Sequence, residues 1–166
     1  MIIDKIILRS LNPNDWPTIS KIYAEGIATG IATFETEVPT WEIWDNKFIK
    51  HCRIVAVQND NVEGFAVLSL VSQRKVYSGV AEVTLYVAKD CWGKGIGKKL
   101  LMELINLSEA HGFWTLQAGI FPENVASIKL HENCGFRLVG VREKIGQRDG
   151  KWYDNHLMER RSDKIL

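Results

Sequence analysis

The period of the apolar positions changes several times along the chain, and each change marks an element. Residues 5–9 alternate as a first strand, and Asn14 and Asp15 supply caps for a helix running to about Ala28. Pro39 and Thr40 open a second helix, with Trp41, Trp44, Phe48 and Ile49 near one face. Residues 53–58 and 62–71 are apolar, β-branched runs separated by Asn59, Asp60 and Asn61, which predicts a hairpin. Residues 81–87 form a further strand. From Ile96 the apolar residues Leu100, Leu101, Leu104 and Ile105 recur at helical spacing until His111 and Gly112 end the run. Another strand follows at 113–120, then a short helix at 126–133 stopped by Gly135, and strands at 136–141 and 153–159 close the set. This order predicts an α/β, mixed α+β architecture: one central twisted mixed sheet of six to seven strands flanked by helices. No internal repeat or low-complexity linker interrupts it, so residues 1–166 read as a single domain.

Composition narrows the class. The chain has 166 residues, 46% of them hydrophobic, enough to enclose one full core. Its 21 basic and 20 acidic residues leave a net charge of +1, which provides no electrostatic footprint for nucleic acid or an anionic membrane. The N-terminal Met1-Ile2-Ile3-Asp4-Lys5 carries charge where a signal peptide needs an apolar run, and no stretch reaches the ~20 apolar residues of a membrane span. Cys52, Cys91 and Cys134 lack metal-ligand spacing, so no metal site is expected and a reduced, cytoplasmic protein is.

The chemistry concentrates where the 81–87 strand enters Cys91-Trp92-Gly93-Lys94-Gly95-Ile96-Gly97-Lys98 and then a helix. Glycines at 93, 95 and 97 let backbone N–H groups approach an anion, and the helix adds unpaired N–H groups and the positive end of its dipole. A Walker loop requires Ser or Thr after Gly97-Lys98, where Lys99 stands. A dinucleotide fingerprint from Gly95 requires Gly or Ala at 100, where Leu100 stands. With both excluded, a diphosphate carrier whose tail runs beside the preceding strand fits best, and coenzyme A meets that description.

The order of elements and the glycine loop resemble the GNAT superfamily of acyl-CoA-dependent N-acetyltransferases. The closer resemblance is to its phosphinothricin and L-amino-acid N-acetyltransferase branch. It is carried by Ile31-Ala32-Thr33-Phe34-Glu35, by Ala81-Glu82 through Tyr86-Val87, and by Asn124, Ser127, Leu130, His131 and Glu132. Gly135-Phe136 and the segment from Gly146 to Trp152 extend it. The resemblance implies acetyl-CoA as co-substrate, a small-molecule amine as acceptor and a homodimer. It assigns the backbone of Leu85, Tyr86 and Val87 to the pantetheine arm and acetyl carbonyl. The loop of Gly93, Lys94, Gly95, Ile96, Gly97 and Lys98 takes the diphosphate, and Asn124 and Ser127 touch the lower part of the cofactor. Trp92 stands where the superfamily usually has Arg or Gln, which implies weaker cofactor affinity.

An amine acceptor arrives protonated, and a group must take its proton before it attacks a thioester. Glu82, at the start of the strand leading to the loop, is the candidate general base, directly or through water. His131 occupies the position where many relatives carry a Tyr that protonates the departing thiolate, and an imidazole can serve as acid or base. Sequence alone leaves the division between the two open. Each residue also has a plain structural reading: Glu82 as a solvent-facing strand residue, His131 as a core-edge imidazole, Asn124 and Ser127 as turn and cap residues. For the acceptor, the resemblance makes Phe34 a pocket wall. Arg74, Lys75 and Tyr77, in the connection before the Glu82 strand, form a candidate carboxylate or phosphinate site, with an exposed basic loop as the alternative. The expected activity is acetyl transfer to a small amino acid or analogue of the phosphinothricin, methionine sulfone or methionine sulfoximine type. The alternatives are another amine, such as a polyamine, peptide N-terminus or aminoglycoside, and a non-catalytic acyl-CoA-binding module.

Overall fold

In the computed structural model, which describes residues 5–166, seven strands form one mixed sheet in the order β1-β2-β3-β4-β5-β7-β6. The strands are β1 (Ile7–Ser10), β2 (Arg53–Gln58), β3 (Asn61–Leu70), β4 (Val80–Val87), β5 (Thr115–Ile120), β6 (Arg137–Arg148) and β7 (Lys151–Arg161). Four helices flank it: α1 (Trp16–Ala28), α2 (Trp41–Lys47), α3 (Ile96–Ala110) and α4 (Val125–Asn133). The fold class expected from the sequence is the one observed. Met1, Ile2, Ile3 and Asp4 of the charged N-terminal segment lie outside the described residues.

Strand alternation divides the core in two. On β3, Ala66 and Leu68 point toward α3 and pack with Leu100, Leu101 and Leu104, while Phe65 and Val67 face α1 and α2 and pack with Ile19, Ile22, Trp44 and Phe48. Both faces of the central strands are therefore covered, which is why these runs read as continuously apolar. Two-residue turns with left-handed backbone connect the hairpins: Asn59 and Asp60 between β2 and β3, Asp149 and Gly150 between β6 and β7. Residues of these types tolerate positive φ, and such turns match the twist of the flanking strands.

The structure corrects several boundaries. Asn12, not Asn14, is the first cap: it accepts from the Asn14 amide, while the Asp15 carboxylate accepts from the Asn12 amide at 2.9 Å and from both Arg9 guanidinium nitrogens at 2.8 Å. The fifth strand begins at Thr115, because the Phe113 amide bonds back to Ser108 O at 2.9 Å and Trp114 lies over Gly79, where a Cβ would be 2.0 Å from the Trp114 ring. The last two strands are longer than their apolar stretches. Main-chain pairing carries β6 and β7 through exposed, charged residues up to the Asp149-Gly150 turn, so hydrophobic pattern alone stops short of their ends.

The chain after β7 is pinned to α3 by Glu109. Its buried carboxylate is ion-paired with Arg160 at 2.9 Å and Lys164 at 2.8 Å and accepts from the Ser162 hydroxyl at 2.9 Å. Burial pushes the Glu109 carboxyl up, but the hydrogen bonds from Lys164, Arg160 and Ser162 outweigh it and hold the group down to about 2. A carboxyl depressed in the folded state contributes stability that is fully present above its unfolded value near 4.5 and lost as pH falls toward about 2. Glu109→Gln should therefore lower stability at neutral pH by about 1–3 kcal/mol, several degrees in Tm. In thermal melts, the gap between wild type and variant should narrow as pH drops below 4.5; a pH-independent gap would show that charge is not its source.

Candidate active site

The site begins where the sheet opens. β4 and β5 run parallel and pair only at Val80–Thr115, Ala81–Leu116 and Glu82–Gln117; beyond that point they diverge. On its other edge β4 stays paired with β3 to Val87, so the backbone from Val83 onward has a partner strand on one side only. Polar main-chain groups facing the gap need partners from outside the sheet. A cavity of about 1120 Å³ occupies this gap and continues on one side to the glycine loop and on the other to the 31–35 segment.

The loop end has the form of an anion cradle. α3 starts at Ile96, with Gly95 as its N-cap at φ +78° and no side chain capping it; the Lys99 amide is the first to return to the helix, on Gly95 O at 3.3 Å. The amides of Ile96, Gly97 and Lys98 are thus left for another acceptor, and no acidic residue stands in the first turn. Gly93 and Gly95 both adopt left-handed backbone, and a Cβ at either would meet nothing within 4 Å. The space above them is open to a guest, so the residues present fit a diphosphate. Lys98 lines the cavity, whereas Lys94 is exposed outside it, and the Ile96 side chain is buried beneath the cradle. The Trp92 indole folds back and donates to Val87 O at 2.8 Å, capping the end of β4.

Alternation along β4 sends Val83, Leu85 and Val87 to the α3 side and Glu82, Thr84 and Tyr86 to the α1 side. Leu85, Tyr86 and Val87 line the cavity. Tyr86 is locked between Tyr23, at 5.0 Å, and Phe65, at 5.7 Å, and burial pushes its phenol well above the usual range. It anchors the 31–35 segment, its hydroxyl approaching Ala32 O at 3.4 Å, rather than serving as an acid. Glu82 accepts a hydrogen bond from Gln117 Nε2 on Oε2 at 2.9 Å, across the last paired position before the strands part. Its carboxylate is thereby oriented into the cavity, with its other oxygen lacking a side-chain donor among the described residues.

On the far wall, Asn124 caps α4 by accepting from the Ser127 amide at 3.2 Å, so its structural role is filled while both residues still line the cavity. His131, one turn later, is 4% exposed, and its Nδ1 lies 2.7 Å from Ser127 O. A carbonyl only accepts, so Nδ1 carries the proton and Nε2 presents a lone pair. That Nε2 is buried without a partner among the described residues. Burial pushes the imidazole pKa down, with the hydrogen bond to Ser127 O opposing. His131 as held here accepts a hydrogen bond or a proton; acting as the acid expected for a departing thiolate requires prior proton uptake on Nε2.

At the other end of the cavity, Phe34 packs on Phe121 at 4.7 Å and Tyr153 at 6.4 Å and lies over Gly146. Arg148 bridges from β6 to Ile27 O and Thr33 O, fixing the 31–35 segment in place. Arg74, Lys75 and Tyr77 are not brought to this site. They stand exposed on the β3–β4 connection, outside the cavity lining, with the Arg74 guanidinium 5.4 Å from the Tyr77 ring. The cavity instead has Arg142 and Asn155, which sequence reasoning missed. The available signal was Asn155 alternating with Tyr153 and Leu157, a polar side chain on an inward-facing strand position.

The family model described as an acetyltransferase (GNAT) domain matches residues 8–157. The phosphinothricin N-acetyltransferase of Alcaligenes faecalis is 32% identical over 163 residues, covering 92% of this chain and 81% of that protein. The L-methionine sulfoximine/L-methionine sulfone acetyltransferase of Pseudomonas aeruginosa is 28% identical over 158 residues, covering 92% of each. Among solved structures, a GNAT superfamily phosphinothricin acetyltransferase from Sinorhizobium meliloti in complex with AcCoA matches with a TM-score of 0.85 at 32% identity, covering 94% of this chain and 88% of that one. A parted parallel strand pair beside a glycine-loop helix N-terminus, together with a family match over most of the sequence, leads to one conclusion: this chain belongs to the GNAT acetyltransferase family.

Proposed function

We propose that the protein transfers the acetyl group of acetyl-CoA to the amine of a small amino acid or analogue, of the kind represented by phosphinothricin, methionine sulfone and methionine sulfoximine. The observation that carries this reading is the continuity of one cavity from the anion cradle at Gly93 and Gly95, along the unpaired edge of β4, to Glu82 and the acceptor wall at Phe34. Bound there, acetyl-CoA supplies an acetyl thioester. The chain's own contributions follow from position. The amides at the start of α3 hold negative charge, and main-chain N–H groups on the open edge of β4 polarise a carbonyl. Glu82, steadied by Gln117, takes the proton from the acceptor ammonium, directly or through water. His131 Nε2 is the acceptor on the opposite wall. The presence of a carboxylate at the acceptor end favours an enzyme over a passive acyl-CoA-binding module.

A homodimeric, cytoplasmic enzyme is part of the same proposal. Leu138, Val139 and Val141 are exposed on the edge strand β6, a surface suited to a second copy. All three cysteines are buried and free, as a reducing compartment allows, and no described helix is long and apolar enough to cross a membrane.

A thiol-release assay with acetyl-CoA and a panel of amino acids, methionine sulfone, methionine sulfoximine, phosphinothricin, spermidine and an aminoglycoside tests the acceptor class. Carboxylate-bearing amines should lead; faster turnover of spermidine or the aminoglycoside would replace the reading. Glu82→Gln should reduce kcat by roughly 10²-fold with acetyl-CoA affinity retained. Because burial pushes the His131 imidazole below its ordinary value of 6.5, its ionisation should leave the wild-type rate unchanged above that pH and lower the rate on the acid side as the imidazole protonates, a limb that His131→Gln should remove.

The cradle is tested by calorimetry with Gly95→Glu, which places a carboxylate where negative charge is to bind and forces a side chain into left-handed backbone. Acetyl-CoA affinity should fall at least about tenfold, a 1.4 kcal/mol loss. Gly95→Asn, which tolerates that backbone and adds no charge, should lose less. Equal affinity in all three proteins would displace the diphosphate from this loop.

A further inference from the structure

The open edge of β4 has an occupant at its loop end. Register sets Val87 opposite Gly64, and the amide that follows, Ala88 N, bonds to Glu63 O at 2.8 Å. Val87 and Gly64 are therefore a non-hydrogen-bonded pair, and the amide and carbonyl of Val87 point away from β3 into the gap. Leu85 and Val83 share that direction, because main-chain groups alternate between the two edges of a strand. Val87, the last residue of β4, thus offers its carbonyl on the open edge beside the glycine loop, and the Trp92 indole Nε1 donates to it at 2.8 Å.

The backbone that carries this indole is pinned. The Glu25 carboxylate accepts from the Lys89 amide at 2.8 Å, and the Cys91 and Trp92 amides bond to Ala88 O at 2.8 Å and Lys89 O at 3.3 Å. The side chain is held far less. It is 50% exposed, and among the described residues it packs on no aromatic ring and makes the single hydrogen bond to Val87 O. Beside it in the chain stand Gly93 and Gly95, where a Cβ would meet nothing within 4 Å, so there is room for the indole to turn. Trp92 lines the same cavity as the cradle and Glu82. From Val87 to Glu82 the strand runs five residues, about 17 Å, and a donor anchored at the cradle passes Val87 first.

We propose that Trp92 is a displaceable gate on the donor arm: the indole N–H and an amide N–H of the pantetheine arm compete for Val87 O, and acetyl-CoA binds by turning the indole off the strand. This inference rests on the acetyl-CoA reading. Donor affinity is then reduced by the fraction of molecules in which the indole holds Val87 O, and that fraction is set by one neutral hydrogen bond. A guest that carries the diphosphate alone has no amide to compete and leaves the indole in place. The gate therefore acts on the arm and not on the cradle, although the two are joined in one cavity.

The experiment measures, by calorimetry, the affinity of wild type, Trp92→Phe and Trp92→Leu for acetyl-CoA and, by competition, for ADP, which has a diphosphate and no pantetheine arm; thermal melts confirm that each variant is folded. Both substitutions remove the N–H, so acetyl-CoA should bind roughly 2- to 10-fold more tightly, the range of one neutral hydrogen bond, with ADP affinity unchanged. Tryptophan emission of the wild type should shift to the red when acetyl-CoA turns the indole into water, a shift absent with ADP and absent in Trp92→Phe. Unchanged or weaker acetyl-CoA binding by Trp92→Phe overturns the gate, as does an equal gain for ADP. Tightening in Trp92→Leu alone also overturns it, because ring size and not the N–H would then be the obstacle. Each of these results leaves the acetyltransferase reading in place, whereas a wild type that binds ADP but not acetyl-CoA overturns both.

Discussion

Everything functional in this protein depends on β4 and β5 ceasing to pair after Glu82 and Gln117. A parallel pair that continued would satisfy its main-chain groups internally and leave no opening. By parting, the strands create a gap lined on one edge by unpaired backbone of β4, and the remaining contacts of the sheet must hold that gap open. They do so from both sides: β3 holds β4 from Ala81 to Val87, and β7 holds β5 from Thr115 to Ile120.

The two core layers divide the labour around this opening. The α3 layer brings the helix N-terminus to the mouth of the gap, since Leu100, Leu101 and Leu104 fix the helix on the sheet and thereby fix the amides above them. The α1 and α2 layer fixes the acceptor side through Tyr86, whose ring is clamped by Tyr23 and Phe65 and whose hydroxyl approaches Ala32 O at 3.4 Å. The N-terminus of α3 and the 31–35 segment are thus positioned from opposite faces of one sheet, and the cavity joins them where the strands part. Glu82 stands at that junction, with a hydrogen bond to Gln117 that depends on the last rung of pairing.

The imidazole of His131 illustrates how packing selects a chemical role. Its helix position would suit a proton donor or acceptor equally. The carbonyl of Ser127 takes up the Nδ1 proton, and burial disfavours a second proton, so the side chain is left presenting a lone pair. The role follows from one backbone oxygen on the preceding turn.

Local pattern determined much of this protein. Helical periodicity located α3 and its apolar face, the Asn59-Asp60 turn followed from residues that accept left-handed backbone, and glycine spacing marked the anion cradle, because these are properties of contiguous residues. Glu82 was singled out by its place at the start of the strand that enters the glycine loop, and Leu85, Tyr86 and Val87 by the family resemblance along that same strand. The acceptor side was not. Arg74, Lys75 and Tyr77 are near the Glu82 strand in sequence but stand outside the cavity, whereas Arg142 and Asn155 arrive from a distant hairpin through a bulge, a cross-strand pair and the space above Gly119. That convergence depends on strand order and register between segments far apart in the chain, and only the tertiary structure decides those.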